Sequence, residues 1–297
     1  MNRQWVCIDV GCGAEAADEL AGAIADAFGV GVEVLAEGVR LYLQEDFFRD
    51  TGRQALEDLL KAFQPFPPKP AAPLSYALSL LAEEDWLEQW KRDFKPLRVG
   101  KRLVVAPTWE AVAPRDGDRI IRIDPGQAFG TGHHETTRLC LEWLESWTES
   151  RPESSLHSLL DVGTGTGILA IAGALLGFDR ILALDHDPEA IPVAGENLAL
   201  NGVSDRIALQ RGTVEAVSGH FEVVLANIQA LPLVAMSSHL QRRLADAGRL
   251  VLSGILIDQA ALVQSAYEQE GLELRGQKTA GEWCLLEFAR SQRERRE

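Results

Sequence analysis

Two stretches hold the residue types best able to do chemistry: "DPGQAFGTGHHETT" at residues 124–137 and "DVGTGTGILA" at 161–170. The first packs three glycines, two histidines and three threonines into fourteen positions, a polar loop with wide backbone freedom. The second reads as a strand end, a tight turn and a helix start. There Gly163, Gly165 and Gly167 let backbone approach a ligand closely and take φ > 0 without steric cost. The free N–H groups of the helix start favour a polar or negative group. Further on, "ALDHDP" places Asp185 at a strand end, where one carboxylate can accept both hydroxyls of a ribose. Asp187, just before Pro188, better suits the start of the next helix, and His186 reads as a loop residue. "LANIQALPL" ends another strand at Asn227. The Asn227 amide oxygen and the Ile228 carbonyl are two acceptors that can hold a neutral amine with its lone pair aimed at an electrophile.

Two cofactors fit the glycine turn. Gly165-x-Gly167-x-x-Ala170, with Asp185 twenty residues on, matches a dinucleotide fingerprint and would make the chain a nicotinamide dehydrogenase. Asp161-x-Gly163-x-Gly165-x-Gly167 resembles the nucleoside-binding turn of class I S-adenosylmethionine methyltransferases. A carboxylate directly before the glycines repels a pyrophosphate but suits the ammonium and sulfonium of a methyl donor, which favours the second reading.

The elements around these residues follow from pattern. Residues 1–64 read as a small α+β unit: strand "QWVCIDV", helix "AEAADELAGAIADAF", strands "GVEVLAE" and "GVRLYLQE", helix "RQALEDLLKAF". That order resembles a ferredoxin-like half-sandwich, with a last strand in "PLSYALSL". Residues 65–82 form a proline-rich connector opened by "QPFPPKPAAP". Residues 83–135 begin with a helix whose Trp86, Trp90 and Phe94 recur at i, i+4, i+8, a docking stripe. The basic run Lys91 to Arg102 reads as solvated surface. Across 136–290 helices and strands alternate, which predicts an α/β fold: a doubly wound, mostly parallel sheet, closed by an antiparallel pair in "LELRGQKTAG" and "EWCLLEFA". One long helix is expected over "LVAMSSHLQRRLADAG". Residues 291–297 are a solvated tail.

Composition narrows the function classes. The formal charge is −15, and residues 1–60 carry twelve Asp/Glu against four Lys/Arg. With no basic stripe and no G-x-x-x-x-G-K-[ST], direct nucleic-acid docking and a P-loop are disfavoured. The acidic first unit instead suits a basic partner. No apolar run is long enough to span a bilayer and the start lacks a signal core, so a cytoplasmic protein is expected. Cys7, Cys12, Cys140 and Cys284 have neither disulfide nor metal-ligand spacing and read as apolar fillers, with no metal site.

Taken in order and spacing, "DPGQAFGTGHHETT", "DVGTGTGILAIA", "ALDHDPEAI" and "LANIQALPL" resemble the PrmA family, the methyltransferases of ribosomal protein L-eleven. "EDWLEQWKRDFKPLRVGKRLVVAPTWE" is similar to that family's junction between linker and catalytic domain, and the likeness runs from about residue 83 to 289. The resemblance implies S-adenosylmethionine as methyl donor and lysine side-chain or N-terminal amines of the L-eleven protein as acceptors. It implies donor contacts at Thr137, Gly163, Asp185 and Asn227, and a loop over the donor that includes Phe129, Gly130, Thr131 and Gly132. His134 would hold that loop rather than act as a base, since an activated sulfonium needs none. Gln229 departs from the family's usual leucine. Rival readings are the same core acting on another protein lysine or a small amine, and a binding module without catalysis.

Overall fold

The computed structural model describes residues 5–28, 30–63, 74–81, 95–124, 132–151 and 157–291. The chain divides into two compact units, Met1–Phe94 and Lys95–Glu297.

In the first unit, β1 (Trp5–Gly11) alternates, burying Val6, Ile8 and Val10. Helix α1 (Ala14–Phe28), strands β2 (Val32–Leu35) and β3 (Gly38–Gln44), helix α2 (Arg53–Ala62) and strand β4 (Ser75–Leu81) follow. The sheet order is β2-β3-β1-β4, antiparallel throughout. Leu20 and Ile24 of α1 and Leu56 and Leu60 of α2 pack with Val6, Ile8, Leu41 and Leu43 in one core, so both helices cover one face. This is the ferredoxin-like arrangement that the element order predicts. Helical turns at residues 45–52 precede α2 and were not anticipated.

The second unit opens with a small sheet that pattern did not reveal: β5 (Leu97–Val99), β6 (Leu103–Ala106) and β7 (Arg119–Arg122), in that order. Its strands are three or four residues long, too short to show a period. The described part of the basic run is solvated at Lys95 and Lys101, as expected, and several of its cations also pair with carboxylates. Arg98 grips Asp118 through two bonds of 2.8 and 2.7 Å, and Lys101 reaches Glu149 at 2.8 Å. Buried Glu145 accepts the backbone N–H groups of Lys101 and Arg102 at 2.6 and 2.7 Å. The aromatic stripe Trp86, Trp90 and Phe94 lies outside the described residues.

Then come α3 (Glu135–Glu149), β8 (Ser158–Val162), α4 (Ile168–Leu175), β9 (Arg180–Asp185), α5 (Ala190–Leu200), β10 (Ile207–Arg211), β11 (Phe221–Asn227), α6 (Ala230–Ala235), α7 (Ser237–Arg243), β12 (Leu244–Leu256), α8 (Ala260–Gln269), β13 (Leu272–Ala280) and β14 (Trp283–Arg290). The sheet order is β10-β9-β8-β11-β12-β14-β13. Its first five strands are parallel, while β14 and β13 are antiparallel and close one edge, as the sequence predicts. Alternation along buried β8 sends Leu159 to the core under α3 and α4, and Leu160 and Val162 to the core under α6 and α8.

The helix expected over "LVAMSSHLQRRLADAG" is a correction. It breaks into α6 and α7 at Met236, and the chain becomes extended from Leu244. Leu244 is fully buried and pairs with Phe221, and a side chain at Gly248 would meet the Glu222 carbonyl at 2.8 Å. Tertiary packing therefore overrides the helical spacing. Among the described residues no helix is long and apolar enough to cross a membrane, and no cluster of three His, Cys, Asp or Glu could hold a metal ion.

Candidate active site

From β8 the chain winds outward through β9 and β10, then returns to lay β11 on the other side of β8. The carboxyl ends of β8 and β11 flank this reversal, the place where an open α/β sheet leaves a crevice for ligand. The glycine turn leaves β8 here. Gly163, Gly165 and Gly167 all have positive φ, at 73°, 54° and 83°. A side chain at Gly163 would meet Ile228 at 3.2 Å, and one at Gly167 would meet Leu198 at 3.0 Å. The N–H groups of Gly163 and Thr164 donate to the Leu184 carbonyl at 2.9 and 3.0 Å, which ties the turn to the end of β9.

Asp185 braces the same turn. One carboxylate oxygen accepts the Gly165 N–H at 2.9 Å and the other the Asp187 N–H at 3.0 Å, with lone pairs left for a ligand. Asp187 in turn accepts the Glu189 N–H at 2.8 Å, just ahead of α5. Asp161 is 1 % exposed. The Thr164 hydroxyl donates to its Oδ2 at 2.6 Å, while Oδ1 is buried without a side-chain hydrogen-bond partner among the described residues. Burial pushes its pKa up to about 6; the Thr164 hydroxyl and the Ala170 backbone oppose that rise and the Asp185 charge adds to it.

At the end of β11 the Asn227 Nδ2 donates to the hydroxyl of buried Thr137 at 3.3 Å. That bond fixes the amide, and Oδ1 is left buried with no hydrogen-bond partner among the described residues. Ile228 donates its N–H to Ser253 at 3.1 Å, and its carbonyl lies against Gly254 (φ 82°), where an added Cβ would sit 2.6 Å from the oxygen. His134 caps α3: its Nδ1 accepts the Thr136 N–H at 3.4 Å and pairs with the Thr136 hydroxyl at 2.8 Å. Its ring stands edge-on to Trp283, with centroids 5.0 Å apart. Gly132 has φ 83° and no room for a side chain beside Val105 and Ile168. Phe129, Gly130 and Thr131 lie outside the described residues.

A cavity of about 670 Å³ gathers Gly163, Gly165, Asp185, Asn227, Ile228 and Gln229 on one wall system. Asp161 and Thr137 are held just behind that wall through Thr164 and Asn227. The lining residues that escaped sequence reasoning include Thr213 and Glu215 after β10, Gly254 in β12 and Trp283 at the start of β14. Gly212 hinted at a turn before the first pair. Nothing local marks Trp283, which reads as an ordinary strand residue.

Residues 4–291 match the family described as "Ribosomal protein L11 methyltransferase (PrmA)". The chain belongs to that family. A relative of that name from Pelobacter propionicus is 40% identical over 99% of this chain and 100% of its own length. One from Trichlorobacter lovleyi is 47% identical over 74% of this chain and 72% of its own. The crystal structure of a ribosomal protein L11 methylase from Lactobacillus delbrueckii subsp. bulgaricus is similar at 34% identity and a TM-score of 0.60, covering 67% of this chain and all of that one. This chain is therefore a PrmA-family methyltransferase, and S-adenosylmethionine is its methyl donor. The dinucleotide reading of the glycine turn falls with that membership.

Proposed function

We propose that this PrmA-family chain transfers methyl groups from S-adenosylmethionine to lysine side-chain or N-terminal amines of ribosomal protein L11. The observation that carries the reading is the buried Oδ1 of Asn227, without a partner among the described residues, at the rim of the reversal between β8 and β11. A buried carbonyl without a donor costs free energy unless a ligand completes it, and an amine N–H does so.

The residues present fit the donor. Asp185 keeps lone pairs for two ribose hydroxyls, Gly163 and Gly165 leave the wall without side chains, and the buried Asp161 Oδ1 suits a cation. Bound there, the donor supplies an activated methyl group on a sulfonium leaving group. The protein's own work is placement. Asn227 Oδ1 and the Ile228 carbonyl accept the two hydrogens of a neutral amine and turn its lone pair toward the methyl carbon, and Thr137 keeps the Asn227 amide from rotating. Water takes the amine's proton, so no general base is assigned, and His134 serves as the cap of α3. We assign donor binding to residues 136–290, donor covering to Phe129–Gly132, and recognition of the basic substrate to residues 1–64. Strand β4, within 65–82, completes the sheet of that first unit, and β5 to β7, within 83–135, belong to the second; the protein works in the cytoplasm without docking on nucleic acid.

The test is incubation with labelled donor and ribosomal proteins from a strain lacking the enzyme, followed by mass spectrometry. Label confined to L11, lost in Asp185→Ala, is the expected result. Asp185→Ala should weaken donor binding by about 100-fold, because charge-assisted hydrogen bonds are worth roughly 1.5–3 kcal/mol each. Label on a different protein or on a small amine would move the substrate and keep the chemistry; no label anywhere would sink the reading.

A further inference from the structure

We propose that α6 is a docking platform for apolar residues flanking the target amine, so that the substrate is a polypeptide read beyond its lysine. The inference rests on the methyl transfer proposed above. The sequence of α6, "ALPLVA", contains no polar side chain. A helix apolar all round is ordinarily buried on every side, yet this one is not. Ala230 and Leu233 face the core, and the Tyr267 hydroxyl donates to the Leu233 carbonyl at 2.8 Å, pinning the helix from beneath. Leu231 is 71% exposed, the most exposed large apolar residue among those described, and Pro232 and Ala235 are exposed beside it.

Position decides what covers that face. Pro232 in α6 and Met236 just after it line the same cavity as Asn227, so the apolar surface runs on from the rim of the amine site. Ile257, 46% exposed, donates its N–H to the Glu282 carbonyl at 2.9 Å, next to cavity-lining Trp283. Chemistry decides the class of occupant. The cavity's charged lining is Asp185, Asp187 and Glu215, all on the β9–β10 side, and its described lining holds no Lys or Arg to meet a phosphate. The α6 side is uncharged, which favours the aliphatic stem of a neutral lysine over its hydrated ammonium. A free small amine would make no use of apolar surface outside the cavity.

The experiment compares Leu231→Ser with Leu262→Ser, a control whose leucine is 50% exposed on α8, a helix that contributes no residue to the cavity lining. Each is assayed on L11 and on lysine peptides flanked by leucine or by serine. Leu231→Ser should raise KM for L11 and for leucine-flanked peptides about tenfold, with kcat and donor Kd unchanged. Serine-flanked peptides should start with the high KM and stay there, and Leu262→Ser should match the wild type. Equal KM values across both variants and both peptide sets would overturn the platform while leaving methyl transfer intact. Transfer by the wild type to none of these acceptors would overturn the reading beneath it.

Discussion

Asp161 is held in a position that disfavours its own charge. Burial raises its pKa from 3.8 to about 6 against the opposing pull of the Thr164 hydroxyl and the Ala170 backbone. Because the folded pKa lies above the unfolded one, the folded state binds the extra proton between pH 3.8 and about 6. Stability is therefore greatest below that window, falls as pH rises through it, and stays reduced above it by about 3 kcal/mol. Asp161→Asn keeps the shape and removes the charge. It should stabilise the donor-free protein by about 1–3 kcal/mol at pH 8, an advantage that vanishes near pH 4, as thermal melts at both pH values would show. The same substitution should weaken donor binding, since a cation then loses its counter-charge. Equal donor affinity in wild type and variant at pH 8 would remove Asp161 from the site.

The elements explain why the reacting groups need so little chemistry of their own. Strand β8 delivers the glycine turn, β9 delivers Asp185, and β11 delivers Asn227, all at the same edge of the sheet because all three are parallel. Strand β12 adds a contact that is invisible in the sequence: Gly254 lies against the Ile228 carbonyl. A methyl at Gly254 would sit 2.6 Å from that oxygen and impose a left-handed backbone on alanine. Gly254→Ala should therefore displace one acceptor of the amine and lower kcat by about 100-fold, as a shift of about 1 Å can do. Donor affinity should change by less than about threefold, since Asp185 and the glycine turn lie on other strands. Steady-state kinetics with a donor-binding titration separates the two effects, and a parallel fall in donor affinity would mean that Gly254 supports the whole crevice.

Over the whole molecule, charge is distributed unevenly. Residues 1–60 hold twelve acidic and four basic residues, a net of −8 within a total of −15. Such a field concentrates a basic protein near the enzyme and is screened by salt. Reversing exposed Glu33, Glu37, Asp46 and Asp50 to Lys changes the charge by two at each position and takes that segment from −8 to zero. The variant should show a KM for L11 about fivefold to tenfold higher at low salt and a shallower dependence of KM on salt. Donor Kd should stay the same. Normal turnover at physiological salt would show that shape, not charge, selects the substrate.

What the sequence determined by itself was local. Asp161 through Gly167 is one continuous strand, turn and helix start, so residue type and spacing suffice to read it. Asp185 and Asn227 each end an apolar run, and a run of alternating elements fixes a parallel sheet whose strand ends gather on one side. The ferredoxin-like order of the first unit was equally legible, because each of its elements carries its own period. Tertiary structure alone decided the rest. Trp283 meets His134 because β14 pairs back onto β12, and Gly254 meets Ile228 because β12 pairs with β11, registers that no short-range pattern encodes. The "ADAG" segment is extended because Leu244 finds Phe221, and β6 finds β7 sixteen residues on, with Leu103 paired beside Arg119. The exposed face of α6 likewise comes to notice only in the fold, since an apolar helix in a sequence looks like core until its neighbours are in place.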